Sequence, residues 1–343
     1  MKKFLLLSAI AVLALTSCSS DDEPKPEPVG DSTLYLAANG LTGFPEAIYD
    51  LEGNTIYQSE DGDRIKSLVA EGSDWYAVIL KADGASHVVK NGKPIYTTRE
   101  TIWCMAVENG SVYTVQESRV LDLVWVNKDF QHLYEVPNTV YYNTFTVDHG
   151  NVIMGVYDAT ACYWCNGEFI PVDGLEDGFN WVYGIDKSND DMLITYEGIN
   201  NRKNMYWWNG TSYELPVKFI PSMSQIVNGH AFILGRDAST QGVGGISCFP
   251  AIVIDGVETV LSNEEIGYTA VALATHDMDT YILTNSDSRY SLVYKNLHPI
   301  KLPDVKTPYS VGPYGSHYNQ NGMTNLSALG IKDIAVVEKK SMP

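Results

Sequence analysis

The sequence predicts an all-β fold: a β-propeller, most simply one of seven blades with four antiparallel strands each, with six blades as the alternative. Two observations predict it. A motif of one turn and one apolar strand recurs roughly every 40 residues, and a two-stranded hairpin recurs between its copies. A two-sheet sandwich is the weaker alternative, because a sandwich requires no repeat of this length. Stretches with the apolar spacing and caps of a helix are hardly visible.

The two motifs can be read directly from the chain. The first appears as GSDWYAVIL, GSVYTV, GNVIMGV, NDDMLITY, GHAFILG and MDTYILT. The second appears most clearly as VVKNGKPIY, CYWCNGEFIPV, MYWWNGTSYELP and IVIDGVETVL. Asn-Gly or Asp-Gly between alternating apolar residues favours the type I′ turn, whose twist matches that of paired strands. Each unit therefore consists of strand a, a tight turn, strand b, a wider connection, strand c, a tight turn and strand d.

The unit boundaries predict how the ring closes. Whole units run over 65–101, 102–140, 141–178, 179–221, 222–267 and 268–307. The segment 33–64 contains strands b, c and d without a strand a. We expect a strand from within 323–339 to supply it, because an open seam would leave unpaired strand edges.

The N-terminus predicts export and lipid attachment. Residues 1–17 combine two lysines, a short apolar run and small residues, which is typical of a cleaved signal peptide. The string LTSC that ends at Cys18 resembles the lipobox of bacterial lipoproteins, which implies a lipid on the Cys18 thiol and a membrane partner. An ordinary secretory signal with a chance cysteine is the alternative. Residues 18–31 form an acidic, proline-containing tether, and residues 32–343 form the propeller domain.

The residues after Cys18 add a second resemblance. Serines followed by acids, in SSDDEPKPEP, resemble the surface-export signal of Bacteroidetes lipoproteins. The resemblance implies an outer-membrane lipoprotein exposed at the cell surface, with the periplasmic face as the alternative. It concerns a class of surface lipoproteins with propeller bodies and no characterised family, so it assigns no catalytic residue.

Charge, histidine spacing and cysteine spacing limit the classes of ligand and partner that we expect. The formal net charge of −19 makes nucleic acid an improbable partner, and we expect a monomer. The seven histidines show no metal-ligand spacing, and we expect neither a metal nor a cofactor. Cys162 and Cys165 are three apart on a predicted strand and so face opposite sides. We expect this pair neither to bridge each other nor to share a metal, and to be small buried side chains.

The arginines mark the predicted binding face. In a propeller, the b–c and d–a connections leave more room for a site than the tight turns do. All six arginines fall in these connections: Arg64 and Arg99 between d and a, and Arg119, Arg202, Arg236 and Arg289 between b and c. Acids mark the a–b turns instead: Glu71, Glu108, Asp148, Asp186 and Asp277. Arginine suits the capture of carboxylate or sulfate, although pairing of these arginines with nearby acids is the competing interpretation.

The sequence leaves the function open between binding and catalysis. The leading prediction is a non-catalytic surface module that binds a glycan, acidic for instance, or a protein partner. The alternative is a polysaccharide lyase or glycoside hydrolase, for which three residues supply the residue types of a base: His87 in a predicted b–c connection, and His317 and Tyr318 near the C-terminus. Five tryptophans fall within strand patterns and are predicted to pack between blades: Trp75, Trp103, Trp125, Trp164 and Trp181. Of the adjacent Trp207 and Trp208, one is expected to be exposed.

Overall fold

Seven four-stranded antiparallel sheets form most of the chain. The computed structural model describes residues 32–39, 45–118, 123–156, 161–175, 178–200, 202–242, 245–262, 268–286, 291–306, 309–311, 318–320 and 323–339. Six of the sheets are built from four strands that are consecutive in the chain, and the seventh combines both ends of it. The prediction of seven blades is confirmed.

The blades are numbered along the chain. Blade 1 contains β1 (Ser32–Ala38), β2 (Ala47–Tyr49) and β3 (Thr55–Gln58); blade 2 contains β4 (Arg64–Glu71), β5 (Asp74–Leu80), β6 (Ser86–Lys90) and β7 (Lys93–Thr98). Blade 3 contains β8 (Thr101–Glu108), β9 (Ser111–Glu117), β10 (Val124–Lys128) and β11 (Gln131–Val136); blade 4 contains β12 (Val140–Asp148), β13 (Asn151–Val156), β14 (Cys162–Cys165) and β15 (Glu168–Pro171). Blade 5 contains β16 (Phe179–Ser188), β17 (Asp191–Gly198), β18 (Asn204–Trp208) and β19 (Thr211–Glu214). Blade 6 contains β20 (Phe219–Val227), β21 (His230–Gly242), β22 (Gly245–Ile254) and β23 (Val257–Val260); blade 7 contains β24 (Tyr268–His276), β25 (Asp279–Ser286), β26 (Ser291–Lys295) and β27 (His298–Ile300).

A C-terminal segment follows blade 7 and closes the ring. It contains β28 (Asp304–Lys306), β29 (Tyr309–Val311), β30 (Tyr318–Gln320), β31 (Met323–Asn325), α1 (Leu326–Leu329) and β32 (Ile331–Glu338). The last of these strands pairs antiparallel with β1 and becomes the inner strand of blade 1, as predicted. The inner strands contact one another in a closed circuit, in which β32 touches both β4 and β24.

The core is divided into seven apolar clusters, one between each pair of adjacent blades. Each sheet is therefore buried on both sides, which explains the unbroken apolar runs in strand b, such as Trp75–Ile79. Cys162 packs in the cluster between blades 3 and 4, whereas Cys165 packs in the next cluster. The two thiols thus face opposite sides, and the four cysteines of the described chain are free.

The tight turns have the predicted geometry. Asn91 and Gly92 have φ values of 48° and 80°, and Asn209 and Gly210 have 45° and 91°, so both central residues of each turn are left-handed, as type I′ requires. The first turn residue also accepts a hydrogen bond from the backbone N–H that begins strand b, as Asn91 Oδ1 does from Trp75 at 3.0 Å. The same bond recurs at Asp129, Asn166, Asn209, Asp255 and Asn296.

The acids that mark the a–b turns join neighbouring blades. Glu71 accepts a hydrogen bond from the backbone N–H of Gly110 at 2.8 Å, and Glu108 accepts bonds from His149 and Gly150 at 2.6 Å each. Asp186 accepts one from Ile226 at 2.7 Å. Burial raises the pKa of Asp186 to about 6. These side chains satisfy the backbone donors of the next blade, so the acidic face has a structural role.

Two sequence interpretations of individual elements are wrong. The connection between strands b and c of blade 6 is not a loop: β21 and β22 stay paired as far as Gly242 and Gly245, so Arg236 lies on a strand, paired with Ile220 and Pro250. His87 lies on β6, opposite Ile79 and Thr97, and not in the b–c connection.

The tryptophans also divide differently from the prediction. Trp75 and Trp164 are buried, as expected, but Trp103 and Trp181 are 37% and 48% exposed. Trp207 is buried toward blade 4, while the half-buried Trp208 faces blade 6, so the adjacent pair points in opposite directions as predicted.

Candidate functional site

A β-bulge interrupts the inner strand of every blade close to the end that receives the d–a connection. One residue is skipped in the register at each of seven positions, two of them in blade 5: Lys66, Trp103, Asn180, Tyr183, Ser222, Val271 and Lys332. A bulge leaves its extra residue unpaired and redirects its side chain. Because these strands are innermost, an exposed side chain at such a position faces the mouth of the central channel.

Three adjacent blades bring basic and aromatic side chains together at this mouth. We define the channel-mouth cluster as Arg64 and Lys66 of β4, Trp103 of β8 and Lys332 of β32. Lys66 Nζ lies 5.6 Å from the centroid of the Trp103 ring, which is a cation–π distance. The indole N–H of Trp103 donates to Glu117 Oε2 at 2.7 Å, which fixes the ring while leaving it accessible.

Lys332 is the buried end of the cluster. Its ammonium group donates to Glu46 Oε1 and to the carbonyl oxygen of Ile65, the latter at 3.3 Å, while Glu46 Oε2 accepts the backbone N–H of Ile65 at 2.5 Å. Burial lowers the pKa of Lys332, and the positive charges of Arg64 and Lys66 lower it further, against the hydrogen bond to Glu46. Lys332 is therefore close enough to Arg64 and to Lys66 to be repelled by both.

The charge of the cluster is only partly neutralised. Lys332 is paired with Glu46, but neither Arg64 nor Lys66 forms an ion pair with a carboxylate in the described part of the chain. Both side chains are exposed. Two exposed cations on one strand, one of them over a fixed indole ring, form a surface that attracts anions within a strongly acidic protein.

A second aromatic patch lies at the mouth in blades 4 and 5. Trp181 packs beside Tyr141 with ring centroids 4.9 Å apart. Glu197 accepts a hydrogen bond from Asn180 at 2.7 Å and pairs with Arg202 at 3.2 Å. The guanidinium group of Arg202 is therefore partly neutralised, as the competing interpretation of the arginines expected.

The predicted arginines are spread around the ring. Arg64 begins β4, Arg99 lies in the connection between β7 and β8, Arg202 lies in the b–c connection of blade 5, and the half-buried Arg236 lies on β21. Of the four arginines that the structure describes, only Arg64 belongs to the channel-mouth cluster. Arg119, Arg289 and His317 lie outside the described residues, and Tyr318 lies on β30 with its side chain outside them.

The residues that complete the cluster were not identified from the sequence. Lys66 and Lys332 stand in apolar strands and resemble isolated solvated lysines, and Trp103 was assigned to the core. A bulge adds one residue without a characteristic motif, so it reverses the expected in–out alternation without a sequence signal.

Within the described ranges, no group of three or more His, Cys, Asp or Glu side chains is arranged to hold a metal ion. No helix among these residues has the length and apolarity needed to cross a bilayer.

Solved structures confirm the fold. The chain is similar to the β-propeller domain of the Trilobed protease from Pyrococcus furiosus, which has an open velcro topology, at 12% identity and a TM-score of 0.54 over 82% of this chain and 95% of that one. It is also similar to the computationally designed Ika8 protein, at 13% identity and a TM-score of 0.50 over 90% and 98% of the two chains. Pyrococcus horikoshii acylaminoacyl peptidase matches at 10% identity and a TM-score of 0.51, over 92% of this chain and 64% of that one.

At 10–13% identity, the similarity to these structures concerns the fold. No protein-family model matches the sequence, and no curated protein matches it either. Unlike the open velcro of the Pyrococcus furiosus domain, the present chain pairs its first and last strands within blade 1. The chain is a β-propeller of seven blades.

Proposed function

We propose that this chain is a lipid-anchored binding module, displayed at the cell surface, which captures an acidic glycan at the channel-mouth cluster. The observation that carries the proposal is the placement of Lys66 over the accessible ring of Trp103, with the exposed Arg64 on the same strand as Lys66, in a chain whose formal net charge is −19. An acidic protein gains little from a local cationic surface unless that surface meets an anion.

The chemistry of the cluster fits a uronate-containing chain. A guanidinium group can donate two parallel hydrogen bonds to one carboxylate, and an indole ring can pack against the apolar face of a sugar. Glu117 holds the Trp103 ring by its N–H, so little entropy is lost when a sugar stacks on it. The bond between Lys332 and Glu46 leaves the charges of Arg64 and Lys66 for the ligand.

Binding assays against acidic and neutral polysaccharides test the proposal. The soluble chain without residues 1–17 and with Cys18→Ser is run in affinity gels that contain polygalacturonate, alginate, dextran sulfate or uncharged dextran. We expect retardation by an acidic polymer, and about a tenfold weakening in Trp103→Ala. Trp181→Ala is the matched control, because Trp181 is also an exposed tryptophan of an inner strand but lies in blade 5. Equal weakening in both variants, or no retardation, would refute the site.

The same samples separate binding from catalysis. Release of unsaturated or reducing ends from a polymer would favour the lyase or hydrolase alternative over a binding module. If the same face binds a protein instead, none of the polysaccharides should retard the chain. A partner protein should then be captured by the wild-type chain and not by Trp103→Ala.

The anchor needs its own experiment. Metabolic labelling with an alkyne fatty acid is expected to mark the wild-type chain and not Cys18→Ala. Proteinase K added to intact cells is expected to degrade the labelled chain if it is displayed outward. Protection of labelled chain in intact cells, with degradation after the outer membrane is opened, would place it on the periplasmic face instead.

A further inference from the structure

A pocket of about 320 Å³ lies between blades 5 and 6 on the tight-turn face, opposite the channel-mouth cluster. Blade 5 contributes three aromatic side chains, and blade 6 contributes two small residues and one carboxylate. The lining residues are Tyr206, Trp208, Tyr213, Gly229, Ala231 and Asp255. None of these six residues is basic.

The strand register places the three aromatic side chains on one side of blade 5. Tyr206 and Trp208 are two residues apart on β18, and Tyr213 of β19 is directly opposite Tyr206. The rings of Tyr206 and Tyr213 are stacked, with centroids 5.0 Å apart and planes 18° apart. The three side chains therefore form one continuous aromatic wall that faces blade 6.

Small residues of blade 6 leave the pocket open. At the equivalent boundary between blades 2 and 3, the turn residue Phe130 stacks on Tyr96 at 4.3 Å. Gly256 takes that turn position in blade 6, and it has no side chain to cover Tyr213, which is 42% exposed. Ala231 is also smaller than the residues that begin strand b after the turn in blades 2, 3, 4, 5 and 7: Trp75, Val112, Val152, Met192 and Thr280.

Asp255 places a carboxylate in the lining of the pocket. Its Oδ1 accepts the backbone N–H of Ala231 at 2.9 Å, and its Oδ2 lies 2.6 Å from His230 Nδ1. The side chain is nevertheless half exposed. In blades 2, 4, 5 and 7 the same turn position holds the neutral residues Asn91, Asn166, Asn209 and Asn296. Asp255 thus adds charge at a place where asparagine suffices for the fold.

In three other blades, the surface next to the c–d turn holds a lysine ammonium group over a tyrosine ring. The residue before the c–d turn is a lysine in blades 2, 3 and 7, and its Nζ lies over the tyrosine opposite it in strand b. The distances to the ring centroids are 5.0 Å for Lys90 over Tyr76, 5.4 Å for Lys128 over Tyr113 and 5.4 Å for Lys295 over Tyr281. Lys90 and Lys295 are also paired with Asp74 and Asp279 at 2.8 and 2.6 Å. An ammonium group between an aromatic ring and a carboxylate is therefore a recurring element of this propeller.

Blade 5 departs from this pattern. Trp208 occupies the position of those lysines, opposite Leu193, so the pocket has aromatic rings and a carboxylate without an ammonium group of its own. Aromatic rings beside a carboxylate are the means by which proteins hold quaternary ammonium ions. We propose that the pocket between blades 5 and 6 binds an organic cation with a quaternary ammonium or alkylammonium group, with Asp255 as its counter-ion.

Calorimetric titration of the soluble chain with choline tests this site. The competing probe is 3,3-dimethyl-1-butanol, which has the shape of choline but no charge. We expect saturable choline binding, at least about tenfold weaker binding of the neutral analogue, and about tenfold weaker choline binding by Asp255→Asn. The variant is expected to fold, since asparagine keeps the hydrogen bond to the backbone of Ala231 as it does in four other blades.

Asp129→Asn is the matched control. It makes the same charge change at the equivalent turn of blade 3, where Phe130 covers Tyr96, and it should leave choline binding unchanged. The proposal is overturned if choline does not bind saturably, if the neutral analogue binds equally well, or if the two variants behave alike. Since the cluster at the channel mouth lies on the other face, these results stand apart from those with polysaccharides.

Discussion

Asp333, on the C-terminal strand, accepts a hydrogen bond at 2.8 Å from the backbone N–H of Leu68, which lies on the inner strand of blade 2. Its second oxygen accepts the backbone N–H of Ile334 at 2.9 Å. The strand that completes blade 1 is thereby fastened to the next blade as well. Asp186 makes the corresponding bond between blades 5 and 6.

Asp333→Asn should destabilise the ring. Both carboxylate oxygens accept backbone N–H groups, so an amide would place its NH₂ group against one of these donors. We expect a loss of about 1–3 kcal/mol in the free energy of unfolding, measured by urea denaturation. Asp61→Asn, at an exposed turn, should change it by less than about 0.5 kcal/mol. Equal stability of the two variants would contradict the role given to Asp333.

The stability of the chain should depend on pH through Asp186 and Asp333. Burial raises the pKa of each from 3.8 to about 6 in the folded chain. The folded state therefore binds these protons more tightly than the unfolded state does. Their contribution to the free energy of unfolding is complete below pH 3.8 and is lost as the pH rises through 6.

Asp186→Asn isolates this effect, because asparagine does not titrate. Urea midpoints at pH 4.5 and pH 7 should show that the variant is less stable than wild type by a larger amount at the lower pH. The difference between the two pH values should be on the order of 1–3 kcal/mol. A wild-type advantage that is constant across this range would show that Asp186 does not titrate there.

The two classes of tryptophan should respond differently to truncation. Trp164→Ala removes a fully buried ring between blades 3 and 4 and should cost about 3–5 kcal/mol. Trp181→Ala removes a half-exposed ring at the channel mouth and should cost less than about 1.5 kcal/mol. Thermal unfolding followed by circular dichroism compares them, and a larger loss for Trp181→Ala would contradict the bulged arrangement of β16.

Gly235 should tolerate no side chain. A Cβ atom there would lie 2.2 Å from the carbonyl oxygen of Ile220 on the neighbouring strand, and that backbone cannot move freely. We expect Gly235→Ala to cost at least about 3 kcal/mol or to prevent folding. Gly92→Ala has open space and only an unfavourable φ of +80°, so it should cost about 1 kcal/mol. Comparable melting temperatures of the two variants would contradict this packing.

The architecture could be predicted because its determinants are local and repeated. Asn-Gly and Asp-Gly turns fix hairpins by the φ values they allow, and copies of one hairpin predict one repeated blade. The missing inner strand of the first segment predicted the pairing of β32 with β1, since a single gap in a closed ring must be filled.

The site was harder to predict, because its side chains are placed by bulges and by contacts across blades. The strand pattern of the sequence predicts that Trp103 packs in the core, whereas the bulge between Ile102 and Cys104 turns its side chain outward. The repeat pattern places Arg236 in the b–c connection of blade 6, yet β21 continues through that position. The predicted binding face contains six arginines, but the channel-mouth cluster contains one of them, Arg64, together with Lys66 and Lys332 from apolar strands.

The central claim is that Arg64 and Lys66 at the channel mouth bind an acidic sugar chain. Calorimetric titration with an oligogalacturonate tests it most directly. Relative to wild type, a variant carrying Arg64→Gln and Lys66→Gln should bind at least about tenfold more weakly and should lose most of its dependence on salt. A variant with Lys93→Gln and Lys301→Gln, which removes equal charge from exposed outer positions, should bind like wild type. Unchanged affinity in the first variant, or equal loss in both, would contradict the claim.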